Sequence, residues 1–321
     1  SYYGIPYSND MSLDPEHATF AKDVVFREGM TEEKARTEKP KNGKAPLMRG
    51  EEIIEYPVDQ TTLTKRYTEE AVRFIAKNKE KPFFLYLPHA MPHVPLHVSA
   101  KFKGRTKTLF GDVIEELDWS VGEVLKAVKD NGIEDKTLVV FTSDNGAHQG
   151  SALPLRGKKA TMYEGGFRVP CVMRWPGVIE PGTVIEEPVT SPDFFPTLLT
   201  AAGLPQLPER HVDGVDFSPL LHGEPFTRGP IFWHYPHYSN QGGTPSAGVR
   251  DGDWKLVYAF ETKTSTLYNI RADISEQHDL AAAHPEIAAR LERTLLAWLP
   301  TVGAQIPAPN PQASAFPDLA G

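Results

Sequence analysis

Residues 137–146 read TLVVFTSDNG, an apolar, β-branched run that stops abruptly at Asp144-Asn145-Gly146. Such a run suits a buried strand, and Asp-Asn-Gly is turn chemistry. Just upstream, residues 112–129 set Val113, Ile114, Leu117, Val121, Val124, Leu125 and Val128 on one helical stripe, with Asn131-Gly132 as the stop. Helix, strand and polar loop therefore follow one another directly. Farther upstream, residues 62–78 place Tyr67, Ala71, Phe74 and Ile75 on one helix face, and PFFLYL at 82–87 predicts a second buried strand. Downstream, residues 168–175 read as a third strand and 193–202 as a short helix. This alternation predicts an α/β fold, a mostly parallel central sheet flanked by helices. Ligands in such folds bind beyond the C-terminal ends of the strands, which is where the polar stretches 88–97 and 144–148 fall.

The texture changes after about residue 225. Residues 231–235, 247–258 and 265–270 predict short strands, with Asp251-Gly252 as a hairpin turn. Residues 285–299 predict a helix that buries Ile287, Leu291, Leu295 and Trp298 and ends at Pro300. The expected division is a domain over 1–224 and a small antiparallel sheet plus helix over 225–321, with a Pro-rich tail. Residues 1–45 read as loop, apart from one helical turn at 32–36.

Composition narrows the class. Hydrophobic residues make up 40% and charged residues 24% of the 321, as in an ordinary folded chain. No apolar run is long enough to span a bilayer. The formal charge of −8 argues against nucleic acid as the main partner, because phosphate binding needs clustered cations. The 29 prolines imply many fixed loops, which is where sites tend to lie. One cysteine, Cys171, leaves no internal disulfide, and its surroundings suggest a small buried hydrophobe rather than a nucleophile.

Several clusters could carry chemistry. Asp144 and Asn145 pair a carboxylate with an amide carbonyl, hard oxygens suited to Ca²⁺ or Mg²⁺, although the same residues make a good turn. His89, His93 and His97 are four apart, but Pro88, Pro92 and Pro95 forbid the helix a zinc site would need. They read either as acid/base or anion-binding groups on a rigid loop or as surface histidines. Arg156-Gly157-Lys158-Lys159 suits an anionic group, or a solvated turn.

Taken together, FTSDNGAHQG at 141–150 and LRGKKATMYEGGFRVPCVMRWPG at 155–177 resemble the sulfatase family, arylsulfatase-like enzymes of the alkaline phosphatase superfamily. GIPYSND, FFLYLPHAMPHVPLH, SPDFFPTLLTAAGLP and VRDGDWKLVY agree with it, so the resemblance covers essentially the whole chain. It implies an alkaline phosphatase-like fold, N-terminally incomplete, and hydrolysis of sulfate esters of a carbohydrate or an aryl alcohol. By position, Asp144 and Asn145 would be metal ligands for Ca²⁺, with Mg²⁺ less favoured. Lys159, four residues before Tyr163, would bind sulfate oxygen. His93 would contact the ester and protonate the leaving oxygen, and Ser8 would line the sulfate pocket. His234 and His237 would frame the leaving group.

The family's nucleophile is a formylglycine made within a Cys/Ser-x-Pro-Ser-Arg string, and no such string occurs here. The expectation is therefore a C-terminal sulfatase portion that is inactive alone. Its partners would be a sulfated small molecule or glycan, and the missing N-terminal segment or a separate chain carrying it. Relatives suggest a periplasmic or extracellular setting. The alternatives are a phosphodiesterase or phosphonate hydrolase of the same superfamily, or a non-catalytic sulfated-glycan-binding protein.

Overall fold

A computed structural model describes residues 1–7, 17–38 and 44–309, and the chain separates into two compact units, Ser1–Thr137 and Leu138–Gly321. The first unit holds a four-stranded mixed sheet of β1 (Tyr3–Gly4), β2 (Phe20–Phe26), β3 (Leu47–Arg49) and β4 (Glu52–Tyr56), in the order β1-β3-β4-β2. β4 pairs antiparallel with β3 and parallel with β2. The helix α1 (Glu32–Thr37) is capped by Thr31, whose side chain accepts from the Lys34 amide at 3.2 Å. The loop reading of 1–45 is thus corrected at β2. Phe20, Val24 and Phe26 alternate onto the buried Ala35, Ile53 and Tyr56, a period that the charges of Lys22 and Asp23 hid.

Two helices, α2 (Leu63–Asn78) and α3 (Leu109–Asp130), pack through Ile75, Ala127 and Val128. Thr108 caps α3 by accepting from Gly111 N at 3.0 Å, and Gly132, at φ +67°, follows its end. Ile114, placed on the apolar stripe by sequence, is instead exposed. Acids share the inner face: Asp112 accepts from Gly104 N and Thr106 N, both at 2.7 Å, and Glu116 accepts from Ser99 N at 2.9 Å. These bonds fasten the 99–106 loop to α3. Residues 82–87, expected to be a buried strand, form none and join no sheet among the described residues, although their burial alternates along the chain.

The second unit contains β5 (Val139–Phe141) and β6 (Val172–Arg174), paired antiparallel, and the short helices α4 (Glu164–Phe167), α5 (Phe194–Ala201) and α6 (Ser218–Leu221). Its largest sheet is antiparallel, in the order β10-β9-β8-β7. The strands are β7 (Ile231–Tyr235), β8 (Ser246–Asp251), β9 (Trp254–Ala259) and β10 (Thr264–Asn269). The expected hairpin turns at Gly252, at φ +58°. On one face lies α7 (Pro285–Thr301), burying Leu291, Leu295 and Leu299 against Ala247, Val249, Leu256 and Leu267. Pro300 does not end α7 but sits inside its last turn, where losing one N–H costs a single bond at a fraying end. The opposite face receives Met162, Tyr163 and Phe167 against Val257, Tyr268 and Ile270. Among the described residues no helix is long and apolar enough to cross a membrane.

Candidate active site

In the second unit, backbone contacts stitch three sequence motifs together. Gly146, after Asp144-Asn145, donates from its amide to the Gly166 carbonyl at 2.9 Å. A Cβ on Gly146 would lie 1.9 Å from the Gly165 oxygen, so only glycine permits this approach. The Lys159 amide donates to Ala147 O at 3.2 Å, and the Gly165 amide to Arg156 O at 2.7 Å. Asp144 and Asn145 on one side, and Lys159 on the other, are thereby held on one backbone framework. Ala160 adopts φ +72°, an uncommon conformation for a residue with a side chain, where the lysine turn reverses. Its carbonyl lies 2.1 Å from where a Gly243 Cβ would stand, so the 236–243 loop closes against the same turn.

Asp144 is exposed, and no cation pairs with it among the described residues. With Asn145 it offers two hard oxygens, which fits part of a Ca²⁺ shell of six to eight. Among the described residues no group of three or more His, Cys, Asp or Glu forms a fuller metal cage. Lys159 is half-buried and its neighbour Lys158 is exposed.

Beneath this framework lies a buried ionic cluster that the motifs did not announce. Lys255, fully buried, puts Nζ 3.0 Å from Glu164 Oε1 and 2.8 Å from Glu276 Oε1. Glu276 also accepts from the Glu164 amide at 2.7 Å. Burial pushes the Glu276 carboxyl above its ordinary range, against the pull of the Lys255 ammonium. Arg156 donates from Nη1 to Glu276 O at 2.9 Å and Tyr268 OH at 3.2 Å, and its guanidinium lies 3.8 Å over the Tyr163 ring. The small sheet thus fixes the 156–166 turn from below.

The first unit carries the histidine loop. His93 is exposed, and its Nδ1 lies 2.6 Å from the Val94 carbonyl. A carbonyl only accepts, so Nδ1 bears the proton and Nε2 keeps its lone pair. His89 is held differently. Thr68 Oγ1 donates to Thr64 O at 2.7 Å, so it accepts from Ser120 Oγ at 2.6 Å. Ser120 in turn accepts from His89 Nε2 at 3.2 Å, which fixes the tautomer and leaves Nδ1 buried with no partner among the described residues. Burial pushes His89 down to about 4 and lowers His97 as well, the latter partly offset by Asp59. His89 is therefore an anchor of the loop rather than a proton donor near neutral pH.

The other expected site residues are placed as follows. His234 donates from Nε2 to the Gln305 carbonyl at 2.9 Å and meets the Phe260 ring edge-on, while His237 is exposed beside Tyr235. Ser8 lies outside the described residues. Cys171 is exposed, not buried as expected, because it precedes β6 on a two-stranded ribbon.

The sulfatase family profile matches residues 9–204, and the N-sulphoglucosamine sulphohydrolase C-terminal profile matches residues 157–299. The chain belongs to the sulfatase family. This sulfatase chain is 42% identical to human steryl-sulfatase over 190 residues, which is 56% of this chain and 33% of that protein. It is 35% identical to a sulfatase of Formosa agariphila over 257 residues, 68% of this chain and 46% of that one. Among solved structures, Ps i-CgsB in complex with k-i-k-neocarrahexaose matches at 31% identity and TM-score 0.69, covering 79% of this chain and 57% of that one. The chain therefore spans about a third to a half of these curated relatives. The alkaline phosphatase-like α/β fold expected from sequence is the fold of these structural neighbours.

Reading the sequence did not single out Lys255, Glu276 or the His89–Ser120–Thr68 chain. A trace of Lys255 was present: in WKLVYA it shares a strand face with the apolar Val257 and Ala259, opposite to Leu256. Glu276 carries no such mark, since its role depends on a turn that returns to Glu164.

Proposed function

We propose that this chain supplies the metal-side and lysine-side parts of a sulfate-ester hydrolase acting on a sulfated carbohydrate. The observation that carries the reading is the joining of Asp144-Asn145 to the Lys159 turn by the Gly146–Gly166 and Lys159–Ala147 hydrogen bonds. In this reading Asp144 and Asn145 hold part of the Ca²⁺ shell, and bound Ca²⁺ would neutralise sulfate oxygens. The Lys159 ammonium meets a second oxygen, placing fixed positive charge where negative charge concentrates. His93 donates from Nε2, when protonated, to the departing alcohol oxygen. A formylglycine from a Cys/Ser-x-Pro-Ser-Arg string outside residues 1–321 supplies the nucleophile. Polypeptide 1–321 alone is then without turnover. A carbohydrate is supported by Ps i-CgsB, whose structure holds a neocarrahexaose, and by the N-sulphoglucosamine sulphohydrolase profile. In this reading His237 and the 236–243 loop, closed against Ala160, meet the sugar. Nothing in the site favours the phosphoryl-transfer or binding-only alternatives.

The test is hydrolysis of 4-nitrophenyl sulfate by the full reading frame with Ca²⁺. Lys159→Ala and Asp144→Ala should each lower kcat by at least about a hundredfold. Faster turnover of 4-nitrophenyl phosphate than of the sulfate would overturn the reaction class. Turnover by residues 1–321 alone that is lost in His93→Ala would overturn the external nucleophile.

A further inference from the structure

Lys158 and Lys159 are adjacent in sequence but serve different places. Only Lys158 lines a cavity of about 320 Å³ bounded by residues 147–158, with His148, Ser151, Leu153 and Arg156 around it. Its charge is one-sided, because no carboxylate lines it. Among the described residues, none of Lys158, His148 and Arg156 is paired with a carboxylate side chain. Glu276 reaches Arg156 only through its backbone carbonyl, while its carboxylate is taken up by Lys255 and the Glu164 amide. Arg156 is also held rigidly: Nη1 is spent on Tyr268 and Glu276, while Nε and Nη2 have no protein partner among the described residues. A fixed guanidinium with unused donors, a free ammonium and an imidazole around one cavity match the chemistry of an oxyanion. The solvated-turn reading of 156–159 accounts for an exposed Lys158, and the half-buried Arg156, held by Tyr163, Tyr268 and Glu276, lines the same cavity.

We infer that this cavity is a second anion subsite, which takes a further sulfate group of a polysulfated carbohydrate while Lys159 takes the sulfate to be cleaved. The inference rests on the sulfatase reading and narrows its substrate to sugars bearing at least two sulfates. Leu153, exposed on the rim, gives an apolar contact for a ring face.

Calorimetric titration of the chain with sucrose octasulfate and with glucose 6-sulfate tests it, at fixed ionic strength. The double variant Lys158→Ala/His148→Ala should lose about tenfold or more in affinity for the octasulfate and keep its affinity for the monosulfate. Lys158→Arg should retain binding. Lys136→Ala, an equal loss of charge at an exposed position elsewhere, should change neither, which separates the subsite from general attraction of a polyanion. Lys159→Ala should weaken both ligands. Unchanged octasulfate affinity in the double variant, or an equal loss in Lys136→Ala, overturns the subsite while leaving the sulfatase reading intact. A loss in the double variant with no effect of Lys159→Ala keeps the subsite and overturns the reading of Lys159.

Discussion

Residues 82–87 and β9 start from similar material: PFFLYL and WKLVYA are both short, apolar and aromatic. In β9 every residue is in register with a neighbour on each side, from Trp254 opposite Asp251 and Asn269 to Ala259 opposite Ser246 and Thr264. Leu256 is fully buried under α7, and Lys255 is buried on the other face. In 82–87 the inner side chains Phe83 and Leu85 pack against the α2–α3 cluster, while Phe84 and Tyr86 remain 71% and 75% exposed and the segment enters no ladder among the described residues. An apolar run thus dictates an extended chain with one buried face. A strand requires in addition a neighbour to take its N–H and C=O groups.

The comparison can be broken most sharply at Lys255. Lys255→Met keeps the volume near but leaves Glu164 and Glu276 buried without their shared cation. We expect a loss of about 3–5 kcal/mol in urea unfolding of the second unit. An unchanged midpoint would mean that the ionic cluster does not hold β9 to the 156–166 turn.

His89 gives the next effect, in the first unit, where residues 82–87 lead into its loop. Its folded-state pKa, about 4, lies below the unfolded value near 6.5, so between those values the unfolded chain binds the extra proton. The His89 contribution to stability is therefore expected to be present in full above pH 6.5 and to be lost as the pH falls toward 4, by about 3 kcal/mol. His89→Gln should flatten that slope when amide exchange of α2 and α3 is followed against pH; an identical slope would show that His89 is not the group responsible.

The smallest effect is expected at the exposed aromatics. Phe84→Ser with Tyr86→Ser should move the unfolding midpoint by no more than about 0.5 kcal/mol per substitution. The same double variant should reduce concentration-dependent light scattering, since an open apolar strand invites edge association. A large loss of stability would show that both side chains are buried in solution.

Much of the fold was legible where the hydrophobic period was long and uninterrupted. The stripes of α2, α3 and α7 and the four strands after residue 230 fall close to where the sequence put them. β2 was missed because charges interrupt a period of two within seven residues. Pro300 was misread because a proline in a fraying last turn costs less than one in a helix interior. In the candidate site, residue type alone left Asp144, Asn145 and Lys159 open to turn readings, and the resemblance to the sulfatase family singled them out. Nothing local marked Glu276, which lies 112 residues from the Glu164 amide it accepts from.

By itself, the sequence determined which segments are helical or extended and which residue types could meet a cation or a sulfate. Those properties follow from side-chain period and donor chemistry, both local. Only the tertiary structure decided that Gly146 lets two turns touch, that Lys255 is the buried cation shared by Glu164 and Glu276, and that Lys158 and Lys159 part company. Each of these depends on backbone brought together from distant positions, where a missing Cβ or a single buried cation settles what can fit.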